Sequence, residues 1–114
     1  MTARNPLLSA TPYQVETALK KLGADLKTAR LRRNLTSDEV AQKIGTTRFT
    51  VADAEKGKPS TSVAVYAALL WAYGLTDRLT DLADPSKDEE GMRLALAREP
   101  MRARHSSGKL SSDF

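Results

Sequence analysis

The side chains able to do catalytic chemistry are few in this chain, and their spacing fits no common site. Its 114 residues include no cysteine and one histidine, His105, which lies in a polar C-terminal stretch. A thiol nucleophile, a thiolate zinc site and a histidine metal cluster are therefore excluded. The carboxylates of residues 84–90 lack the twelve-residue spacing of a calcium loop, and Gly57-Lys58 lacks the earlier glycine of a phosphate-binding loop. We expect a protein that is not an enzyme and that uses neither metal nor cofactor.

The charge balance permits nucleic acid as a partner, and the hydropathy argues against a membrane. Lysine and arginine outnumber aspartate and glutamate by 18 to 14, and residues 1–35 carry the excess, with seven basic and two acidic side chains. The longest apolar-rich stretch, residues 63–75, is too short to span a bilayer. The absence of cysteine fits a reducing compartment. We therefore expect a cytoplasmic protein.

The elements that position the polar residues are five helices in the central part of the chain. Apolar spacings of three and four, capping residues and terminal glycines predict their limits. The expected helices run from Val15 to about Arg33, from the capping box of Thr36 and Glu39 to Gly45, for about eight residues after Thr46 or Thr47, from Val63 to Tyr73, and from Thr76 to Ala83. Gly23 lies inside the first of them and lowers its expected stability by about 1 kcal/mol relative to alanine.

The fourth expected helix is apolar on nearly every face. Such a helix must be buried on more than one side, and a single small domain covers only one of them. We therefore expect contact with a second subunit through Trp71, Tyr73, Leu75 and Leu79. A core formed within one chain is the alternative, because single exposed apolar residues are common.

The ends of the chain are expected to be arms. We assign residues 1–14 to an N-terminal arm, 15–83 to the folded domain and 84–114 to a polar C-terminal tail. Apolar and other residues alternate in the middle of the tail, so EGMRLALARE fits either a helix or a strand. From Pro100 the apolar content is low, and this part is expected to be disordered in isolation.

One stretch, SDEVAQKIGTTRFTVADAEKG at residues 37–57, has the spacing of a helix-turn-helix. Ala41 is the small residue that two closely crossing helices need, and Gly45 is the turn residue that tolerates a positive φ. Val51 and Ala54 are the apolar residues that hold the second helix on the core. This stretch resembles the helix-turn-helix of the Cro and phage-repressor regulators, the XRE family. The resemblance implies an all-α, five-helix DNA-binding domain, to which the polar C-terminal arm is added.

A narrower resemblance covers nearly the whole chain. YQVETALKKLGADLKTARLRR, the helix-turn-helix, YAALLWAYGLTDRLTDLADPSKDEEG and a basic tail ending in Asp-Phe are similar, in that order, to HipB-like antitoxins encoded beside HipA-like kinase toxins. This implies a dimeric repressor of its own operon that also binds a HipA-like kinase. The expected anchors for the kinase are in the tail: Arg98, Arg102, Arg104 and Phe114. An inert, solubilising tail is the alternative.

The binding pattern of the XRE family implies a recognition helix whose N-terminus enters the major groove, with Thr47, Arg48, Phe49, Ala52 and Asp53 pointing outward. Arg48 is expected to bind O6 and N7 of a guanine, or else a phosphate. Phe49 departs from the family's usual polar residue, and either touches a thymine methyl group or packs into the core. Asp53 is expected to be exposed to solvent or paired within the protein, because phosphates repel it.

The same pattern separates residues that set the position on DNA from residues that hold the fold. Phosphate contacts are expected near helix N-termini and in the loop after the recognition helix, from Ser37, Thr47, Lys56 and Lys58. Arg30 and Glu55 match an internal ion pair of the family, so we assign Arg30 to structure.

We therefore expect a sequence-specific repressor that binds double-stranded DNA as a homodimer. Its recognition helices would enter successive major grooves, about 34 Å apart, over an inverted repeat. A stand-alone XRE repressor without a toxin partner is one alternative. Another is a protein-binding module that keeps the helix-turn-helix as a scaffold, which the neutral charge of residues 36–58 favours.

Overall fold

The computed structural model describes residues 5–105, and within this range the regular structure is helical, with no strand. The elements are α1 (Pro6–Ser9), α2 (Tyr13–Arg32), α3 (Ser37–Ile44), α4 (Arg48–Glu55), α5 (Val63–Ala72), α6 (Thr76–Thr80), a 3-10 turn (Pro85–Lys87) and α7 (Glu89–His105). The predicted all-α class is confirmed. The chain divides into two compact units between Leu79 and Thr80.

Local hydrogen bonds explain why the short helices begin and end where they do. The Thr36 hydroxyl accepts from the Glu39 amide at 3.1 Å, while the Glu39 carboxylate accepts from the Thr36 amide at 2.8 Å. This reciprocal capping box starts α3, as the sequence predicts. Gly45 ends α3 with φ of +81°, a conformation that costs glycine little. Thr47 caps α4, and Ser62 caps α5.

The structure differs from the expected elements mainly at the two ends of the chain. The short helix α1 was not expected; the Asn5 side chain caps it by accepting from the Leu7 amide at 3.0 Å. Residues from Glu89 to His105 form a helix, not a strand, and this helix continues past Pro100. It begins where the Asp88 carboxylate accepts from the Gly91 amide at 3.0 Å. The alternation of apolar residues in this stretch does not reveal the Asp88 cap, so the sequence pattern alone fits a helix or a strand.

The core of the first unit is formed by α2 to α5. Its largest fully buried side chains come from four different helices: Leu26, Val40, Val51 and Leu69. Ala41 and Ala54 are buried beside them, so the small and apolar positions that define the helix-turn-helix lie in the core, as expected. Tyr66 and Tyr73 complete the core from α5 and the residue after it.

The backbones of α2 and α4 approach most closely at Gly23. A Cβ atom on Gly23 would lie 2.5 Å from the Ala54 carbonyl oxygen and 2.7 Å from the Gly57 amide nitrogen. Gly57 has φ of +71°, and a Cβ atom there would collide with the backbone of Leu19. At each glycine, the backbone of the other segment therefore occupies the space where a Cβ atom would lie. Sequence reasoning treated Gly23 as a weak point of the first helix, whereas the contact makes it a requirement of the fold.

A buried ion pair between Arg30 and Glu55 lies near the same crossing. The Arg30 Nε donates to Glu55 Oε2 at 2.8 Å, and Nη2 donates to Oε1 at 3.2 Å. Nη1 donates to the Leu35 carbonyl at 2.9 Å, so the guanidinium also fixes the chain after α2. The hydrogen bond with Glu55 raises the pKa of Arg30 and outweighs the opposing effect of burial. The guanidinium of Arg30 therefore stays charged.

Replacing Gly23 with alanine tests the close approach. In an open helix this change would raise the free energy of unfolding by about 0.5 to 1 kcal/mol. Here we expect it to lower that free energy by about 1 to 3 kcal/mol, because the added methyl group meets backbone atoms that cannot move aside. Urea unfolding followed by circular dichroism measures the difference. A stabilised variant would contradict the contact.

Replacing Arg30 with alanine tests the buried pair, and Lys21→Ala is the matched control. Lys21 pairs with Asp25 at 2.7 Å, but those side chains are 76% and 61% exposed, against 10% and 8% for Arg30 and Glu55. We expect Arg30→Ala to cost about 3 to 5 kcal/mol of unfolding free energy, since it leaves Glu55 buried without its cation. Lys21→Ala should cost less than about 1 kcal/mol. An unchanged thermal melt for Arg30→Ala would refute the structural assignment.

Candidate nucleic-acid interface

The turn between α3 and α4 fixes the direction in which α4 leaves the core. The amides of Gly45 and Thr46 both donate to the Ala41 carbonyl at 2.9 Å, which makes the turn tight. The Thr47 hydroxyl then accepts from the Thr50 amide at 3.2 Å and caps α4. Val51 and Ala54 face the core on this short helix, while Arg48 and Phe49 at its start are exposed.

Arg48 and Phe49 are the exposed residues at the N-terminus of α4. The Phe49 ring is 68% exposed, so of its two expected placements the structure shows the outward one and not the core. Arg48 is exposed as well, and its guanidinium carbon lies 5.1 Å from the centre of the Phe49 ring. This distance fits a cation–π contact. Ala52, one turn later, is half-buried and adds a small apolar surface beside Phe49.

Asp38 is a neighbour of Arg48 that sequence reasoning missed. Its Oδ2 lies 3.8 Å from Nη1 of Arg48, and both side chains are mostly exposed. The guanidinium is therefore bounded by a carboxylate and by the ring of Phe49. Since arginine has five N–H donors, several remain for another acceptor. In the sequence, Asp38 is explained by its favourable interaction with the dipole of α3, in whose first turn it lies. Nothing in the sequence therefore indicates that it pairs with Arg48.

The loop after α4 is held in place by α4 itself and by α5. Asp53 pairs with Lys58 at 3.2 Å. The Tyr66 hydroxyl donates to the Lys58 carbonyl at 2.9 Å, and burial raises its pKa, so it stays protonated as a donor. Lys56 is exposed. The two lysines therefore extend from a fixed loop, one paired and one open to solvent.

The remaining expected phosphate contacts lie at the starts of the two helices. Ser37 is the first residue of α3 and is half-buried. The Thr47 hydroxyl lies 3.2 Å from the hydroxyl of Thr50, in addition to capping α4. Thr50 was not among the expected site residues. It is the third residue after the cap Thr47, and the backbone amide at this position commonly donates to the cap side chain.

The residues expected at a dimer interface divide into two groups. Trp71 is 57% exposed on α5, with the Lys43 ammonium 5.5 Å from the centre of its ring, while Leu75 and Leu79 are half-buried. Tyr73 is buried in the core of its own chain: Arg33 donates to its carbonyl at 2.9 Å and lies over its ring. Burial raises the pKa of its hydroxyl to about 12. Tyr73 has little surface left for a second subunit, so we omit it from the dimer surface proposed below.

The residues expected to anchor a kinase partner lie in or beyond α7. Arg98 is exposed, and Arg102 and Arg104 belong to the last turns of that helix. Phe114 lies outside the described residues. The partner role of this segment stays a prediction.

Two further classes of site are not found in the described part of the chain. No group of three or more histidine, cysteine, aspartate or glutamate side chains there is placed to hold a metal ion. Within the same residues, no helix combines the length and the apolar character needed to cross a bilayer.

Comparison with known families agrees with this geometry. Residues 21–83, more than half of the chain, match the family model described as a helix-turn-helix domain. The match contains α3, the turn, α4 and the whole of α5, and it supports the expected helix-turn-helix regulator. The comparison with curated proteins gives no match, and the narrower similarity to HipB-like antitoxins stays a prediction. The chain therefore belongs to the helix-turn-helix domain family of DNA-binding regulators.

Proposed function

We propose that this protein is a sequence-specific transcriptional repressor that binds an inverted repeat in double-stranded DNA as a homodimer. The observation that carries the proposal is the exposed N-terminus of α4, where Arg48 and Phe49 are open to solvent on a helix held in the core by the fully buried Val51 and Ala54. In a helix-turn-helix, these are the residues that reach base edges in the major groove. A side chain that reads bases must be held by a rigid support, and the buried Val51 and Ala54 supply it.

The charges around α4 suit a phosphate backbone. Lys56 and Lys58 follow the helix, and the two acidic side chains nearest to α4's outer side each lie beside a cation, Asp53 beside Lys58 and Asp38 beside Arg48. Repulsion between these carboxylates and phosphates is thereby reduced. The pairs are exposed, so their cations can turn to DNA at little cost.

The outer side of α5 supplies the proposed dimer surface. Ala64, Ala67 and Trp71 follow at spacings of three and four on one side of α5, and Val63 lies four residues before Ala67 at the edge of that side. Val63 and Trp71 are largely exposed, and the small residues between them allow a second helix to approach closely. We call these four residues the α5 face. A second copy related by a two-fold axis would cover it and would present a second α4 to the next major groove.

Repression follows from occupancy of the operator. A dimer that spans two half-sites covers about one turn of the major groove on one side of the duplex. When that site lies in a promoter, the polymerase is excluded. No chemistry by the protein is needed.

The first test of the proposal is Arg48→Ala, with Lys56→Ala as the matched control. Fluorescence anisotropy with the duplex upstream of the protein's own gene, and with a scrambled duplex, gives both affinities across a salt series. We expect Arg48→Ala to weaken binding to the specific duplex by about 1 to 3 kcal/mol, roughly five- to 150-fold, and to reduce the preference for it. Lys56→Ala should weaken both duplexes alike and lower the salt slope by about 1.

Equal and weak binding of the wild-type protein to both duplexes, fading as salt rises, would contradict sequence-specific recognition. An unchanged preference in Arg48→Ala would remove that residue from the base contacts.

The dimer is tested by Trp71→Glu, with Leu31→Glu as the control. Both residues are large, apolar and 57% exposed, but Leu31 lies on α2, outside the α5 face. We expect Trp71→Glu to shift the mass measured by sedimentation equilibrium from dimer to monomer, because a carboxylate would be buried against a second apolar face. Leu31→Glu should remain a dimer. A wild-type monomer, or a dimer in both variants with intact helical circular dichroism, would exclude the α5 face as the interface.

A further inference from the structure

Phe49 is a large aromatic residue left exposed on a surface that is otherwise polar. Its ring makes no core contact and is 68% exposed, and the half-buried Ala52 lies one turn further along α4. Together they form a small apolar surface at the end of the helix that enters the groove. Desolvating such a surface is favourable only against an apolar group of the partner.

The only apolar groups that project from base edges into the major groove are the methyl groups on C5 of pyrimidines, which thymine carries. A phenylalanine is among the side chains that contact this methyl group. If α4 binds DNA as proposed, the apolar surface at Phe49 therefore fits a 5-methylpyrimidine.

The position of that methyl group relative to the guanine follows from the contact between the two side chains. The Arg48 guanidinium carbon lies 5.1 Å from the centre of the Phe49 ring, and Asp38 lies on another side of the same guanidinium. Groups reached by two touching side chains must themselves be close together, and stacked base pairs are about 3.4 Å apart. Thymine pairs with adenine, so its methyl group and a guanine belong to different base pairs. Neighbouring base pairs satisfy both conditions.

We infer that Arg48 and Phe49 act as one unit that reads a guanine next to a 5-methylpyrimidine. Arg48 donates to O6 and N7 of the guanine, and the Phe49 ring packs on the C5 methyl group of the neighbouring base. The inference rests on the proposed sequence-specific binding and adds which two neighbouring base pairs Arg48 and Phe49 recognise. Thymine and 5-methylcytosine carry the same methyl group, so both are accepted at this position.

The test begins with selection of binding sites from randomised duplexes by the full-length protein. We expect the selected sites to share a guanine with thymine on a neighbouring base pair. That thymine is then replaced by uracil, which lacks only the methyl group. We expect uracil to weaken binding about fourfold, the effect of returning one methyl group to water. Uracil in place of a thymine elsewhere in the site is the control and should have no such effect.

Phe49→Ala assigns the effect to the ring. The exposed position of Phe49 makes loss of the fold unexpected, which circular dichroism checks. In Phe49→Ala the thymine and uracil duplexes should bind equally. Two further duplexes carry 5-methylcytosine or cytosine in place of that thymine, each paired with guanine. The wild-type protein should bind the 5-methylcytosine duplex more tightly than the cytosine duplex. Phe49→Ala should bind these two duplexes equally.

The outcomes separate this inference from the proposed function. Selected sites with a shared guanine but no thymine beside it would overturn the inference and leave sequence-specific binding intact. An equal uracil effect in the wild-type protein and in Phe49→Ala would also overturn it, because another residue would then read the methyl group. If selection enriches no sequence, the proposed function itself fails.

Discussion

The close approach of the α2 and α4 backbones is the constraint on which the rest of the first unit depends. Gly23 and Gly57 face each other's segments at distances that no side chain would permit. This contact sets how deeply α4 sits against α2, and so which of its residues are buried. With Val51 and Ala54 inside, Phe49 lies on the opposite side of α4, and Arg48 is exposed next to it. The proposed reading surface of α4 therefore depends on two glycines that lie outside it.

Ion pairs in this protein divide by burial into two kinds with different physical roles. The pair of Arg30 and Glu55 is removed from solvent, and breaking one side of such a pair costs about 3 to 5 kcal/mol, so it holds α2, α4 and the following chain together. The pair of Asp53 and Lys58 is open to solvent and is worth at most about 1 kcal/mol. Such a pair orders side chains in the free protein and, in the proposed complex, leaves Lys58 able to contact a phosphate. The same chemistry thus serves the fold in one place and the proposed interface in another.

Much of the fold could be predicted from the sequence because the signals were local. Capping boxes and apolar spacing depend on residues within one or two turns, and they located α3, α4 and the core positions of the helix-turn-helix. The features that were missed depend on distant residues. Gly23 reads as a helix weakness until the α4 backbone is placed beside it, and the partner of Arg48 is Asp38, on another helix. Tyr73 is likewise buried among core residues of other helices, and it contacts Arg33, which is far away in the chain. The outer residues of α4 could be placed by resemblance, but only the structure shows that Phe49 is exposed and not packed in the core.

The sequence of α5 does not show which side of the helix faces the core, because both of its sides are apolar. One side packs on the core through Tyr66 and Leu69, and the other side is the apolar α5 face, so apolar residues surround the helix. A soluble monomer gains nothing from the second apolar side, whereas a dimer does. A single helix-turn-helix that contacts a few base pairs has limited affinity, and joining two copies makes the second contact intramolecular. In the proposed dimer, the α5 face therefore joins the two copies of α4 whose combined base contacts give the sequence specificity.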